Sequence, residues 1–193
     1  MAAELCALIA FSALQNNDKV GLFVFTEGPE LYVPPRKGRS HVLTMIRDLL
    51  AFRPARKGTA IGPCLDTLNR MLKRRGILFL VSDFQDFGFE DAFTRASFKH
   101  DLVPVVIEDP LESELPAVSA WLETEDPETG ERATVWAGSP KARAELAERR
   151  AARRRSLEQL FRSCGVEHVG IRADEPYADP LIKFFRTRSK RFR

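Results

Sequence analysis

Apolar positions along the chain follow two periods that alternate from segment to segment. Residues 2–17 read as a helix: Leu5, Leu8, Ile9 and Ser12 follow the i, i+3, i+4, i+7 spacing, and Ala and Cys fill the other faces. A helix so apolar all round is expected to be well buried. Residues 19–26, "KVGLFVFT", form a near-continuous apolar run, the pattern of a strand covered on both faces. Residues 30–35 predict a short strand that Pro34 and Pro35 confine to an edge. Residues 38–52 are amphipathic at helical spacing, with Ser40 placed to cap.

After the polar, proline-broken loop "RPARKG", residues 59–75 predict a helix that tolerates Pro63 only near its first turn. A buried strand "GILFLVS" follows, then a helix over 89–100 and a second buried strand, "LVPVVIED". Residues 117–138 hold two short apolar runs around "TEDPETGE", whose Asp-Pro and Thr-Gly pairs are turn signals, so a hairpin is expected near 117–136. A long helix follows from Ser139, with Pro140 at its first position, then a strand over 166–172 and a helix over 177–188. Strands that alternate with helices predict a single α/β domain over 1–193, with a mostly parallel sheet flanked by helices. A doubly wound sheet usually begins on a central strand. A chain that opens on an apolar helix therefore leads us to expect that the first central strand is missing, with a groove or apolar patch between the strands "GLFVF" and "ILFLV".

Composition sharpens this. An apolar content of 44% and a charged content of 30% are those of a water-soluble globular domain. No apolar run approaches the ~18–20 residues of a membrane span, and no signal-peptide pattern opens the chain. Cys6, Cys64 and Cys164 are far apart and odd in number, which fits a reducing, cytoplasmic setting. His41, His100 and His168 lack zinc-enzyme spacing. The net charge of +3 hides an asymmetry: residues 101–131 carry ten acidic groups and no Lys or Arg, whereas 183–193 carry six basic and no acidic residues. Residues 141–164 carry eight basic against three acidic. Such polarity suits either docking to a charged partner or a solvated surface.

The candidate chemistry gathers where strands end, because ligands of open α/β sheets bind outside the strands' carboxyl ends. Asp83 stands at the end of "ILFLVS", with Asp86 close behind, and Thr59 opens a helix after a flexible loop. Turn formation and helix capping are the plain structural roles for these residues. Arg36, Lys37 and Arg39 precede a helix start, where a solvated turn or a phosphate site is possible. Cys164 and His168 lie four apart across Gly165, with no third group to orient a dyad. A Mg-dependent phosphoryl-transfer enzyme using Asp83 lacks both a phosphate-binding loop and a paired D-x-D. A nucleic-acid binder lacks aromatics interleaved with its basic residues, apart from Phe184, Phe185 and Phe192.

The strings "AFSALQNNDKVGLFVFT", "YVPPRKGRSHVLTMIRDLLAFRP", "KGTAIGPCLDTLNRMLKRRGILFLVSDF" and "LVPVVIEDPLESELP", followed by "DPETGE", resemble domain-of-unknown-function family 58. That family is similar to the von Willebrand factor type A domain. The resemblance implies a Rossmann-like fold, truncated here at its N-terminus, and a metal-ion-dependent adhesion site. It matches Thr59 and Asp83 to two of that site's three loops. The first motif, D-x-S-x-S at the end of the first strand, is absent, so the resemblance implies a partial site: no cofactor bound by this chain, and Mg2+ only in a fuller form. It further implies a non-enzymatic protein-interaction domain that works with MoxR-type AAA+ ATPases in assembling or maturing other proteins. The apolar runs give no membrane segment, and the aromatic pattern argues against nucleic acid.

Overall fold

The computed structural model describes residues 1–109, 120–125, 132–136, 138–177 and 180–185. Parts of the acidic and basic runs, 110–119, 126–131 and 186–193, lie outside the described residues. The elements are α1 (Ala2–Gln15), β1 (Val20–Phe25), β2 (Pro29–Arg36), α2 (Arg39–Ala51), α3 (Ile61–Met71), β3 (Ile77–Ser82), α4 (Glu90–Lys99), β4 (Asp101–Glu108), β5 (Trp121–Glu125), β6 (Arg132–Trp136), α5 (Pro140–Ser163) and β7 (Val169–Arg172). Residues 180–185 form a further helix, α6.

The α/β alternation read from the sequence is present. β3, β4 and β7 form a parallel sheet in the order β3-β4-β7, in which Ile77 pairs with Asp101 and Val105 with Val169. β1 and β2 form an antiparallel pair, and β5 and β6 form the expected hairpin. Side chains on β3 and β4 divide by the two-residue period of a strand. Leu78, Leu80, Leu102 and Val106 join a cluster with Ile61, Leu65, Phe93, Ala96 and Phe161 of α3, α4 and α5. Phe79, Val81, Val103 and Val105 face the other way, onto Leu5 and Leu8 of α1 and Leu181 and Phe185 of α6. A third cluster packs Ala10 of α1 and Val42, Met45 and Ile46 of α2 against Val20, Leu22 and Val33 of the β1–β2 pair. Among the described residues no helix is long and apolar enough to cross a membrane.

The structure departs from the sequence reading in four places. β4, with a strand on each side, is buried as expected, but β1 and β3 are mostly half-buried. Among the described residues β1 pairs only with β2 and β3 only with β4, so each keeps one unpaired edge, and Ile77 at the start of β3 is 60% exposed. α1 buries Leu5 and Ala10 and leaves its other apolar positions half-covered or exposed. α2 starts at Arg39, so Gly38 with φ 104° is its cap and Ser40 lies inside its first turn. α3 ends at Met71, before the basic stretch that the sequence extended it through.

Candidate functional site

The loop that leaves β3 is shaped by one buried ring. Phe84 adopts φ 56°, a left-handed conformation that a residue with a side chain rarely takes. Its ring is fully buried and contacts Phe89 and Phe161 at centroid distances of 5.8 and 5.7 Å. The Phe84 N–H donates to Ser82 Oγ at 3.0 Å, and the Gln85 N–H donates to Asp83 Oδ1 at 3.0 Å. The chain therefore turns at once after the strand, with Phe84 pointing in and Asp83 exposed. Asp83 does not cap α4, whose first residue is Glu90.

Asp86 holds this loop to its neighbour. Its Oδ2 accepts the Ile61 N–H at 2.7 Å, and its Oδ1 accepts the Phe87 N–H at 2.7 Å. The first amide of α3 is one of the four that a helix cannot satisfy internally, and here a carboxylate 25 residues away satisfies it. Thr59 is consequently not the cap. Ala60 is the residue before the helix, and Thr59 sits one step earlier, half-buried in the loop. The two residues picked out by sequence thus ride on two loops that Asp86 ties together.

A second carboxylate fastens the loop that leads to Thr59. Glu30 accepts the Thr26 hydroxyl, the Ala55 N–H at 2.8 Å and the Arg56 N–H at 3.2 Å. The Thr26 hydroxyl, followed by the Ala55 amide, holds the Glu30 carboxyl below its usual range. The Ala60 N–H donates to Thr26 O at 2.9 Å, which joins the end of β1 to the start of α3. Gly58, at φ 83°, passes so close to Glu27 that a Cβ would meet its Oε1 at 3.2 Å.

Arg153 of α5 is the third fastening. Its guanidinium donates to Phe84 O and, at 2.8 Å, to Asp86 O, and it lies 4.7 Å from the centre of the Phe87 ring. Sequence reading missed Glu30, Arg153 and the capping role of Asp86. No local pattern marks Glu30 or Arg153, while the S-D-F-Q-D spacing at least drew attention to Asp86.

Chemically, this end of the sheet offers an exposed carboxylate, hydroxyls at Thr59 and Ser82, and backbone carbonyls held by Arg153. Among the described residues no three His, Cys, Asp or Glu are grouped to hold a metal. Arg36, Lys37 and Arg39 are exposed. Cys164 and His168 form no dyad: the thiol lies 3.6 Å from Thr94 Oγ1, and the imidazole packs 5.0 Å from the Phe161 ring.

Comparison with known proteins agrees with the architecture. An uncharacterized protein of Mycobacterium tuberculosis is 25% identical over 193 residues, which is 98% of this chain and 60% of that protein. An uncharacterized protein of Mycobacterium avium is 26% identical over 161 residues, 82% of this chain and 94% of its own length. The chain therefore spans about 60% of the length of the M. tuberculosis relative. The crystal structure of the conserved hypothetical protein BatB from Bacteroides thetaiotaomicron superposes with a TM-score of 0.53 at 17% identity, over 94% of this chain and 83% of that one, a likeness of fold. The family described as "Protein of unknown function DUF58" matches residues 1–156, and the chain belongs to it.

Proposed function

We propose that the 193 residues form one von Willebrand type A-like, non-enzymatic protein-interaction domain whose binding end is the carboxyl end of β3. Its partner is a MoxR-type AAA+ ATPase that acts in the assembly or maturation of other proteins, and its setting is the reducing cytoplasm. The observation that carries this reading is Asp83, an exposed carboxylate on a loop held by Asp86 and Arg153. A fixed outward charge suits recognition better than chemistry: the hydroxyl beside it, Ser82 Oγ at 3.4 Å from Oδ1, is held within the turn by the Phe84 N–H. Calorimetric titration of the chain with a MoxR-type ATPase from the same genome should show saturable binding that Asp83→Asn abolishes. Absence of binding by the unaltered chain sinks the proposal.

Thr59 and Asp83 are proposed as a partial metal site. Magnesium takes six hard oxygen ligands in near-ideal octahedral geometry, and one carboxylate with one hydroxyl is a poor donor set for it. The residues present therefore do not fit a resident Mg2+, and binding is assigned to the protein surface alone. Addition of Mg2+ at low millimolar concentration is expected to leave the unfolding temperature unchanged. A magnesium-dependent rise would show that the donor set is fuller than these two side chains.

A further inference from the structure

The β5–β6 hairpin presents a surface that the Asp83 loop does not use. Trp121 and Trp136 are register partners at its open end, with ring centroids 5.3 Å apart. Trp121 is 68% exposed and Trp136 37% exposed. Gly138 lets the Trp136 ring lie against the following turn, because a Cβ there would come within 2.7 Å of Trp136 Nε1. Among the described residues β5 and β6 pair only with each other. A lone two-stranded sheet is marginal in water, and two large indoles left facing solvent are costly unless something covers them. Trp is also among the residues that dominate binding energy at protein interfaces.

Charge indicates what covers it. The chain from Asp101 to Glu131, which includes all of β5, carries ten acidic residues and no Lys or Arg. Glu123 and Glu125 stand two and four positions along β5 from Trp121, and Arg132, the register partner of Glu125, is the first cation after the run. Paired indoles on a segment whose sequence is acidic are complementary to a planar cation: guanidinium groups stack on Trp and pair with carboxylates, whereas a strongly hydrated ammonium does so less well. We propose that this hairpin docks an arginine-rich polypeptide segment of a protein partner. The inference rests on different residues from the Asp83 reading and stands independently of it. The chain's own basic run at 183–193 is the competing occupant. It leaves from Phe184 and Phe185, which pack in the cluster beneath α1.

The two tryptophans are the only ones in the chain, so its indole emission reports on this hairpin alone. A short oligo-arginine peptide, titrated into the full chain at low salt, should change the emission saturably, and labelled-peptide anisotropy should give the same affinity. Trp121→Ala should weaken binding by roughly tenfold or more, as truncation of an interface anchor does. Glu123→Gln with Glu125→Gln should weaken it less and flatten its salt dependence. Gly138→Ala should weaken it by displacing the Trp136 ring, with both tryptophans still present in the chain. Equal affinity in the wild type and Trp121→Ala would reduce the effect to diffuse electrostatics and overturn the proposal. So would oligo-lysine binding as tightly as oligo-arginine. Concentration-dependent self-association of the chain alone, removed when the basic residues of 183–193 are neutralised, would assign the surface to a second copy and also overturn it.

Discussion

Phe84 gives the sharpest test of how Asp83 is aimed, because its ring and its backbone pull a substitution in opposite directions. The ring is fully buried among Phe89, Phe93 and Phe161, so Phe84→Ala should cost about 3–5 kcal/mol in lost burial and cavity formation. For a domain of this size that lowers the unfolding temperature by roughly 6–20 °C, at about 2–4 °C per kcal/mol. Phe84→Gly removes one more carbon, and at an ordinary position Gly is worse than Ala by about 0.5–1 kcal/mol. At φ 56°, however, Ala retains the left-handed cost of about 1–2 kcal/mol and Gly does not. The Gly variant should therefore be the more stable of the two by about 1 kcal/mol. Urea unfolding followed by far-UV circular dichroism measures this. Indole emission would not, since both tryptophans sit on the exposed hairpin. If Phe84→Gly unfolds at lower urea than Phe84→Ala, residue 84 does not turn left-handed, and the backbone argument for an outward Asp83 fails.

Three further outcomes follow from the same contacts. Asp86→Ala should cost about 1–2 kcal/mol and speed hydrogen exchange at the Ile61 amide, as loss of a helix cap does, and an unchanged exchange rate would refute the capping role. His100 is buried, with neither ring nitrogen hydrogen-bonded among the described residues, and burial, then Lys99 and Arg75, push its pKa down. A depressed imidazole pKa means that the unfolded chain takes up the proton first. Stability should fall as pH drops below about 6.5, and His100→Leu should remove that part of the slope without lowering stability at neutral pH. Glu30 has its pKa lowered by the Thr26 hydroxyl first, so its contribution is full above the unfolded value of about 4.3 and is lost as pH falls through the folded one. Glu30→Gln should flatten the acid limb of the stability profile in that window, and an unaltered limb would remove Glu30 from the account.

What the sequence shows and what it hides can be seen strand by strand. β4 and β3 carry similar apolar runs, yet β4 is buried and β3 is mostly half-buried. The run states what a strand could bury; burial also needs a neighbour at each edge, and letters do not say whether one is there. The hairpin was legible because turn chemistry is local: Asp-Pro and Thr-Gly mark it without reference to the rest of the chain. Asp83 was legible for a similar reason, as a carboxylate placed where an apolar strand stops. Thr59 looked like a helix cap because Thr favours that position, but the first amide of α3 goes to Asp86, 25 residues on. Arg153 was hidden among the basic residues of α5, and only the fold brings it to Phe84 O and Asp86 O. Contacts between loops distant in sequence are set by how the sheet brings strand ends together, which periodicity does not encode.

That division separates two kinds of residue at this end of the sheet. Glu30 and Asp86 turn their carboxylates onto backbone amides of other segments, so their charge holds loops in place. Among the described residues Asp83 reaches no further than its own turn, to the Gln85 amide and the Ser82 hydroxyl, and its side chain is exposed. Asn at position 83 retains the acceptor for that amide and removes only the charge, so Asp83→Asn should alter stability by less than about 0.5 kcal/mol, as surface substitutions usually do. Under the proposed function partner binding should nevertheless be lost, because the charge removed is presented outward. Asp86→Ala should reduce stability and binding together. Measuring both quantities on both variants discriminates recognition from support: if Asp83→Asn destabilises the fold as much as Asp86→Ala does, Asp83 is one more loop fastening, and the recognition role must pass to another group.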